Sequence, residues 1–171
     1  MIHRVVITGA ESTGKTTLAQ GLANYYSEPW THEFVREYVD NLNRALQPED
    51  LEPIAKGQLA TEDAALEEAQ RLIIHDTNLL SSIVYAKHYF ETELDWVNDH
   101  FKKRTYSIYL LCKPDMKWEA DEGQRDSPLA RSQLHHAFKT KLNALKLPHL
   151  ELHGSKEARL QQAVTMVNKL L

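Results

Sequence analysis

Residues 5–17 read Val5-Val6-Ile7-Thr8-Gly9-Ala10-Glu11-Ser12-Thr13-Gly14-Lys15-Thr16-Thr17. A β-branched run that ends on glycine is the pattern of a short buried strand stopping at a turn. From Lys15 to Tyr26 the period changes. Leu18, Leu22 and Tyr25 recur at helical spacing, with Ala19 and Ala23 beside them, so a helix with one packed face is expected. Between strand and helix, Gly9 to Thr16 satisfies G-x-x-x-x-G-K-[ST] at every defined position. Glycines let a backbone close around phosphate oxygens, and successive N–H groups converge on them. The helix behind adds the positive end of its dipole.

That stretch predicts a nucleoside triphosphate held by Gly9, Glu11, Ser12, Thr13, Gly14, Lys15, Thr16 and Thr17. Lys15 would neutralise the β- and γ-phosphates, and the Thr16 hydroxyl would ligate Mg²⁺. A guanine-reading N-K-x-D element is expected after a late strand in a GTPase. Cys112-Lys113-Pro114-Asp115 occupies that place without the asparagine, so ATP is the expected nucleotide.

Working outward, His32–Val35 reads as a second strand and residues 48–71 as a helix with Pro48 at its first position. The acidic residues of that helix, Glu49, Asp50, Glu52, Glu62, Asp63, Glu67 and Glu68 against Lys56, read as a solvated face, with an acidic docking face as the alternative. Leu72–Asp76 reads as a central parallel strand, with Thr77 capping a helix to about Tyr89. Leu94–Lys103 reads as a further helix, Ser107–Leu111 as a strand, and 119–128 as a loop. Ser127-Pro128 then has the N-cap and N1 chemistry of a helix start, with Leu134, Phe138, Leu142 and Leu145 on its apolar side. His149–Leu152 is a last strand. A last helix from about Lys156 carries Leu160, Val164, Val167 and Leu171. Alternating strands and helices predict an α/β three-layer sandwich with a parallel sheet covered on both faces.

Charge and composition exclude other classes. The 171 residues carry 20 Lys plus Arg against 24 Asp plus Glu, a net charge of −4. That gives no positive field to draw nucleic acid or anionic lipid, so neither nucleic acid nor membrane is an expected partner. Lone Cys112 excludes an intrachain disulfide framework and a multi-cysteine zinc site. Residues 2–8 are too short and polar for a secretory signal or membrane span, which makes a cytoplasmic setting the expectation. No heptad or exposed apolar stripe marks an oligomer, and the oligomeric state stays open.

Phosphoryl transfer also needs a metal and an oriented acceptor. Asp76, ending an apolar strand, reads as a metal or substrate carboxylate or else as a helix N-terminal carboxylate. Glu33, Arg36 and Glu37 fall at the carboxyl edge of the sheet, where ligands bind. Glu37 could orient an acceptor hydroxyl or take its proton; the plainer reading is a surface ion pair of Arg36. Arg125 and Arg131 flank a turn-rich loop and could close over a triphosphate, or simply face solvent. Trp118 could stack on a flat cationic ring or anchor its loop.

The order GAESTGKTT, HEFVREYV, IIHDT, KWEADEGQR, then an arginine before a helix, resembles the ribosylnicotinamide kinase domain of NadR-type NAD-salvage proteins, within the P-loop kinases. Similar chains are also grouped with AAA-type ATPases. The resemblance covers nearly the whole chain. It implies one P-loop kinase domain over 1–171, a five-stranded sheet in order 2-3-1-4-5, and a small lid at about 117–135. It implies an Mg-ATP kinase acting on the ribose 5′-hydroxyl of nicotinamide riboside. Glu33, Arg36 and Glu37 then match the block near the acceptor, together with Asp76, Trp118 and Asp121 as substrate contacts. Trp118 matches a tryptophan on the nicotinamide ring, and Arg125 and Arg131 match lid arginines. The catalytic set is Lys15, Glu37, Asp76, Arg125 and Arg131, with Thr16 and Asp76 for metal. Two departures stand out: Val35 replaces a glycine of the family block, and Glu122 adds a residue to its W-x-A-D-G segment. With the phosphate loop beginning at residue 9, no adenylyltransferase or DNA-binding domain is expected ahead of it. The alternatives are a kinase of another nucleoside or vitamin, or an ATPase serving as a nucleotide-dependent switch.

Overall fold

The structure is a computed structural model and describes residues 1–116 and 127–171. Its centre is a parallel sheet of β1 (His3–Thr8), β2 (Trp30–Thr31), β3 (Leu72–Asp76), β4 (Ile108–Cys112) and β5 (His149–Leu152). The strands lie in the order β2-β3-β1-β4-β5. Helices α1 (Lys15–Tyr26), α2 (Phe34–Asp40), α3 (Leu51–Leu66), α4 (Leu79–Phe90), α5 (Asp95–Lys102), α6 (Pro128–Ala144) and α7 (Lys156–Val167) surround it, with a 3-10 turn at Pro48–Asp50 leading into α3.

Strand alternation sorts the core into two layers. Val5 and Ile7 of β1 pack with Leu18 and Leu22 of α1 and with Ala163 and Val167 of α7. Val6 points the other way, among Leu59 of α3, Leu80 of α4, Phe101 of α5 and Phe138 of α6. β1 is flanked by β3, with Val5 beside Ile74, and by β4, with Val5 beside Ile108. The strand order therefore reverses at β1. The crevice at a reversal point, beyond the carboxyl ends of the strands, is where open α/β sheets bind ligands. No helix among the described residues is long and apolar enough to cross a membrane.

The second strand differs from its sequence expectation. Trp30 and Thr31 pair with Ile74 and His75 of β3, and the chain then leaves the sheet. At Phe34 the backbone N–H donates to Gln58 Oε1 (3.1 Å) instead of to a ladder. None of His32–Val35, read as the strand, is strand: Phe34 and Val35 open α2, with Glu33 at its N-cap. Tyr25 is exposed at 59%, and it is Tyr26 that packs, its hydroxyl on the Val164 carbonyl and Asn168 Oδ1. Leu18, Leu22 and Tyr26 form the i, i+4 row. Leu145 and Leu171 follow the ends of α6 and α7 and are exposed. Asn78, not Thr77, caps α4, its side chain accepting from the Leu80 N–H. Ser127 caps α6 as expected.

The acidic helix is not wholly a solvated face, because Asp50 and Glu62 are buried. Glu62 accepts from Tyr106 Oη (2.8 Å) and Arg104 Nη1 (3.3 Å), and Arg4 stands 3.9 Å away. Its Oε1 has no hydrogen-bond partner. Burial pushes its pKa up to about 7, against the opposing pull of Tyr106, Arg104 and Arg4. The folded state then keeps a proton that an unfolded glutamate loses near 4.5. Stability accordingly declines as pH rises from about 4.5 to about 7, by at most about 3 kcal/mol. Glu62→Gln should flatten this decline, as read by urea unfolding at about pH 5 and about pH 7.5. An unchanged pH dependence in the variant would contradict it.

Candidate active site

The loop between β1 and α1 is held in an unusual backbone path. Gly9 has φ +133°, and a Cβ there would lie 3.0 Å from the Cys112 carbonyl oxygen. Gly14, directly before α1, has φ +80°, a left-handed conformation that glycine adopts without penalty. Inside the loop, Thr13 Oγ1 and Lys15 Nζ both donate to the Ala10 carbonyl, at 2.7 and 2.8 Å. Lys15 is buried. Glu11, Ser12, Gly14 and Thr16 are half-buried, and Thr17 is exposed.

Two buried arginines grip the loop from outside. Arg131 on α6 donates to the Ser12 carbonyl (3.1 Å) and to the Met116 carbonyl (2.8 Å). Arg159 on α7 donates to the carbonyls of Thr13 (3.0 Å), Lys113 (2.8 Å) and Gly154 (3.0 Å), and pairs with Asp115. Charged donors on backbone carbonyls are the stronger class of hydrogen bond. Together they tie the phosphate loop to the segments after β4 and β5. Arg159 was absent from the sequence reading, yet it left a signal. It shares the buried row of α7 with Ala163 and Val167, and an arginine in an apolar row is rarely there without partners. Arg131 stands in the same way in the row of Leu134, Phe138 and Leu142.

Asp76 ends β3 beside the loop. Its Oδ2 accepts from Thr16 Oγ1 at 2.6 Å, and its buried Oδ1 has no hydrogen-bond partner. Burial raises its pKa above the usual carboxylate value, and Glu33 adds to this; Lys15, Thr16 and Arg36 act against it. Since Asn78 supplies the α4 cap, the Asp76 side chain is left to the site. Among the described residues no group of three or more His, Cys, Asp or Glu could hold a metal ion. One carboxylate plus a threonine hydroxyl nevertheless suits Mg²⁺, which takes few protein ligands and completes its shell with water and phosphate oxygens.

Beside the loop, a cavity of about 800 Å³ opens between α2, the loop after it, α3 and the length of α4. Its walls include Glu11, Glu33, Arg36, Gln58, Asn78, Tyr85 and Tyr89. A smaller space of about 380 Å³, on the side of Thr16 and Asp76, also takes in His32 and Glu37. Glu33 and Arg36 line both spaces and are ion-paired, Arg36 Nε to Glu33 Oε2 at 3.1 Å. Tyr85 and Tyr89 stack with ring centres 5.7 Å apart and planes 24° apart. Sequence reasoning missed both tyrosines; their i, i+4 spacing on α4 was the available signal. It also missed His32 and Gln58, which no local pattern distinguishes.

The structure thus brings Lys15, Thr16, Glu33, Arg36, Glu37 and Asp76 to one end of the sheet. Arg131 reaches the same loop from its far side, through backbone carbonyls. Trp118, Asp121 and Arg125, with the departure at Glu122 and most of the expected lid, lie outside the described residues.

Trifunctional NAD biosynthesis/regulator protein NadR of Salmonella typhimurium (strain LT2) is 29% identical over 179 residues, covering 99% of this chain and 43% of its own length. The Escherichia coli (strain K12) protein of the same description is 29% identical over 126 residues, covering 70% of this chain and 30% of its own length. The chain therefore spans less than half the length of these curated relatives. A crystal structure of NadR protein in complex with NR matches with a TM-score of 0.88 at 23% identity, covering 98% of this chain and 51% of that one. Deoxyadenosine kinase from M. mycoides matches at TM-score 0.69 and 11% identity, over 97% and 99% of the two chains. The fold is that of the P-loop kinases. A family model described as AAA domain matches residues 4–159, most of the length including the phosphate loop and the Asp76 strand, and the chain belongs to that family.

Proposed function

We propose that the chain is an ATP-dependent kinase that phosphorylates the ribose 5′-hydroxyl of nicotinamide riboside, giving nicotinamide mononucleotide for NAD salvage. The observation that carries this reading is the acceptor-sized cavity sharing its Glu33–Arg36 wall with the space beside Thr16 and Asp76. A wall common to both is where a hydroxyl and a γ-phosphoryl group would meet. The stacked tyrosines suit a flat cationic ring, and the relatives described as NAD biosynthesis proteins point the same way.

On this reading Lys15 neutralises the phosphates of ATP as charge shifts toward the leaving group. Thr16 and Asp76 would hold Mg²⁺, which would offset the negative charge of the phosphates. Glu33 stands at the shared wall and orients the acceptor hydroxyl, with Arg36 held beside it. Glu37 lines the phosphate-side space. Arg131 and Arg159 keep the loop in shape through its carbonyls. Trp118, Asp121 and Arg125 belong to the same reading as ring, substrate and lid contacts. Catalysis comes from positioning and charge, with direct in-line transfer and no covalent phosphoenzyme. A single domain over 1–171, a cytoplasmic setting, and independence from nucleic acid and membrane complete the proposal.

A second reading, a kinase of another nucleoside, is favoured by Val35. It lines the larger cavity at the position where the family block has glycine. Calorimetry in the presence of a non-hydrolysable ATP analogue separates the two. Nicotinamide riboside should bind more tightly than uridine, adenosine or thymidine. Tighter binding of one of those would transfer the assignment to it.

A further inference from the structure

Helix α2 carries Glu33 at its N-cap, then Arg36 and Glu37, yet none of its residues is buried. It is only seven residues long, and helices so short have little stability of their own. Something other than an apolar face must therefore hold it. Its N-terminus is docked on α3. The Phe34 ring occupies the place where Gly57 lacks a side chain, a Cβ there falling 2.0 Å from the ring, and the Phe34 N–H bonds Gln58. Its other end is held by Asp50.

The Asp50 carboxylate is 3% exposed and sits where the 3-10 turn meets α3. Oδ1 accepts from Tyr38 Oη of α2 (2.8 Å) and from Arg44 Nη2 (2.9 Å). Oδ2 accepts from Arg44 Nη1 (2.7 Å) and from the Gln47 N–H (2.8 Å). Arg44 Nη1 also reaches the Ala45 carbonyl. All these donors belong to residues 38–47, and Val39, Asp40, Leu42, Arg44, Ala45 and Leu46 from this stretch wall the larger cavity. Hydrogen bonding to the Arg44 guanidinium, then to the Gln47 N–H, holds the Asp50 carboxyl far below the ordinary aspartate value, so the pairing persists in acidic solution.

We propose that Asp50 is the positioning residue of the acceptor site: one buried carboxylate clips α2 and residues 41–47 over the larger cavity, and so sets acceptor affinity without touching the acceptor. The proposal rests on the kinase reading for its kinetic consequence and not for its structural one. A clip on the acceptor wall should act on the acceptor KM and leave the phosphate loop alone. The side-chain partners of Asp50 are Tyr38, Arg44 and Gln47, none of them in the loop between β1 and α1.

The test uses the full chain as Asp50→Ala, Tyr38→Phe and Arg44→Gln. The latter two remove part of the clip and leave the carboxylate charge in place. The acceptor KM should rise by about 10-fold or more in Asp50→Ala and by less in the other two, with the ATP KM within about twofold of wild type. Hydrogen exchange of the free protein should speed up over residues 34–47 and stay unchanged over β1, the phosphate loop and α1. Unchanged acceptor KM with unchanged exchange over 34–47 in all three variants would overturn the proposal. So would acceleration spread over the whole chain with both KM values rising together in the milder variants. If wild type phosphorylates no nucleoside, the kinase reading fails, and the exchange pattern still decides whether the clip exists.

Discussion

Lys15→Ala should lower kcat by about 10²–10³-fold, the cost of removing one preorganised charge donor from a transferring group, and should weaken ATP binding as well. The fold should survive. Lys15 is buried against the loop, and its Nζ donates to the Ala10 carbonyl. That carbonyl keeps Thr13 Oγ1 as a donor at 2.7 Å, so alanine leaves no orphaned acceptor. Arg131 and Arg159 still hold Ser12 and Thr13 from outside. A single-turnover assay together with a thermal melt separates lost chemistry from lost structure. Wild-type turnover in Lys15→Ala would sink the assignment of the whole loop.

Asp76→Asn should separate activity from stability. Activity falls by about 10²-fold or more, because a charged group next to the transferring phosphoryl is replaced by a neutral amide. The melting temperature of the protein free of nucleotide and metal should rise. Asp76 is 1% exposed, takes one hydrogen bond from Thr16, leaves Oδ1 without a partner, and lies near Glu33. Keeping a charge in such a place costs folding free energy, and functional sites commonly carry costs of this kind. Each kcal/mol relieved is worth about 2–4 °C in a chain of this length. A lower melting temperature would mean that Asp76 is there chiefly to hold the fold.

Much of this architecture was legible because local patterns agreed with the global fold. Val5–Thr8, Leu72–Asp76 and Ser107–Leu111 each present an apolar run between turn signals, and all became central strands within a residue or two. Gly9–Thr16 carries its pattern in consecutive residues, so the glycine-bent loop between β1 and α1 was readable on its own. The second strand was not. Only Trp30 and Thr31 pair with β3, and what ends the strand is Gln58 and Gly57, more than twenty residues away. Arg159 and Asp50 were missed for the same reason. Both act through backbone or side-chain partners distant in sequence or drawn from an adjoining loop, and a buried charged residue looks like any surface one until its row is read. The acidic stretch 49–68 shows that failure directly: Glu62 and Asp50 are buried, while composition alone pointed to water. The larger cavity was beyond sequence reading altogether, because its walls come from three helices and the loop after α2.

On the proposed function, the larger cavity receives a nucleoside whose hydroxyl meets ATP at the Glu33–Arg36 wall. The most direct measurement is mass analysis of the products formed from ATP with nicotinamide riboside, nicotinic acid riboside, uridine, adenosine, thymidine, pantothenate or no acceptor. Nicotinamide riboside should gain one phosphate, well above every other tube, and that product should be lost in Lys15→Ala. ADP forming at one slow rate in every tube, with no phosphorylated acceptor, would contradict it and leave a nucleotide-dependent switch in its place.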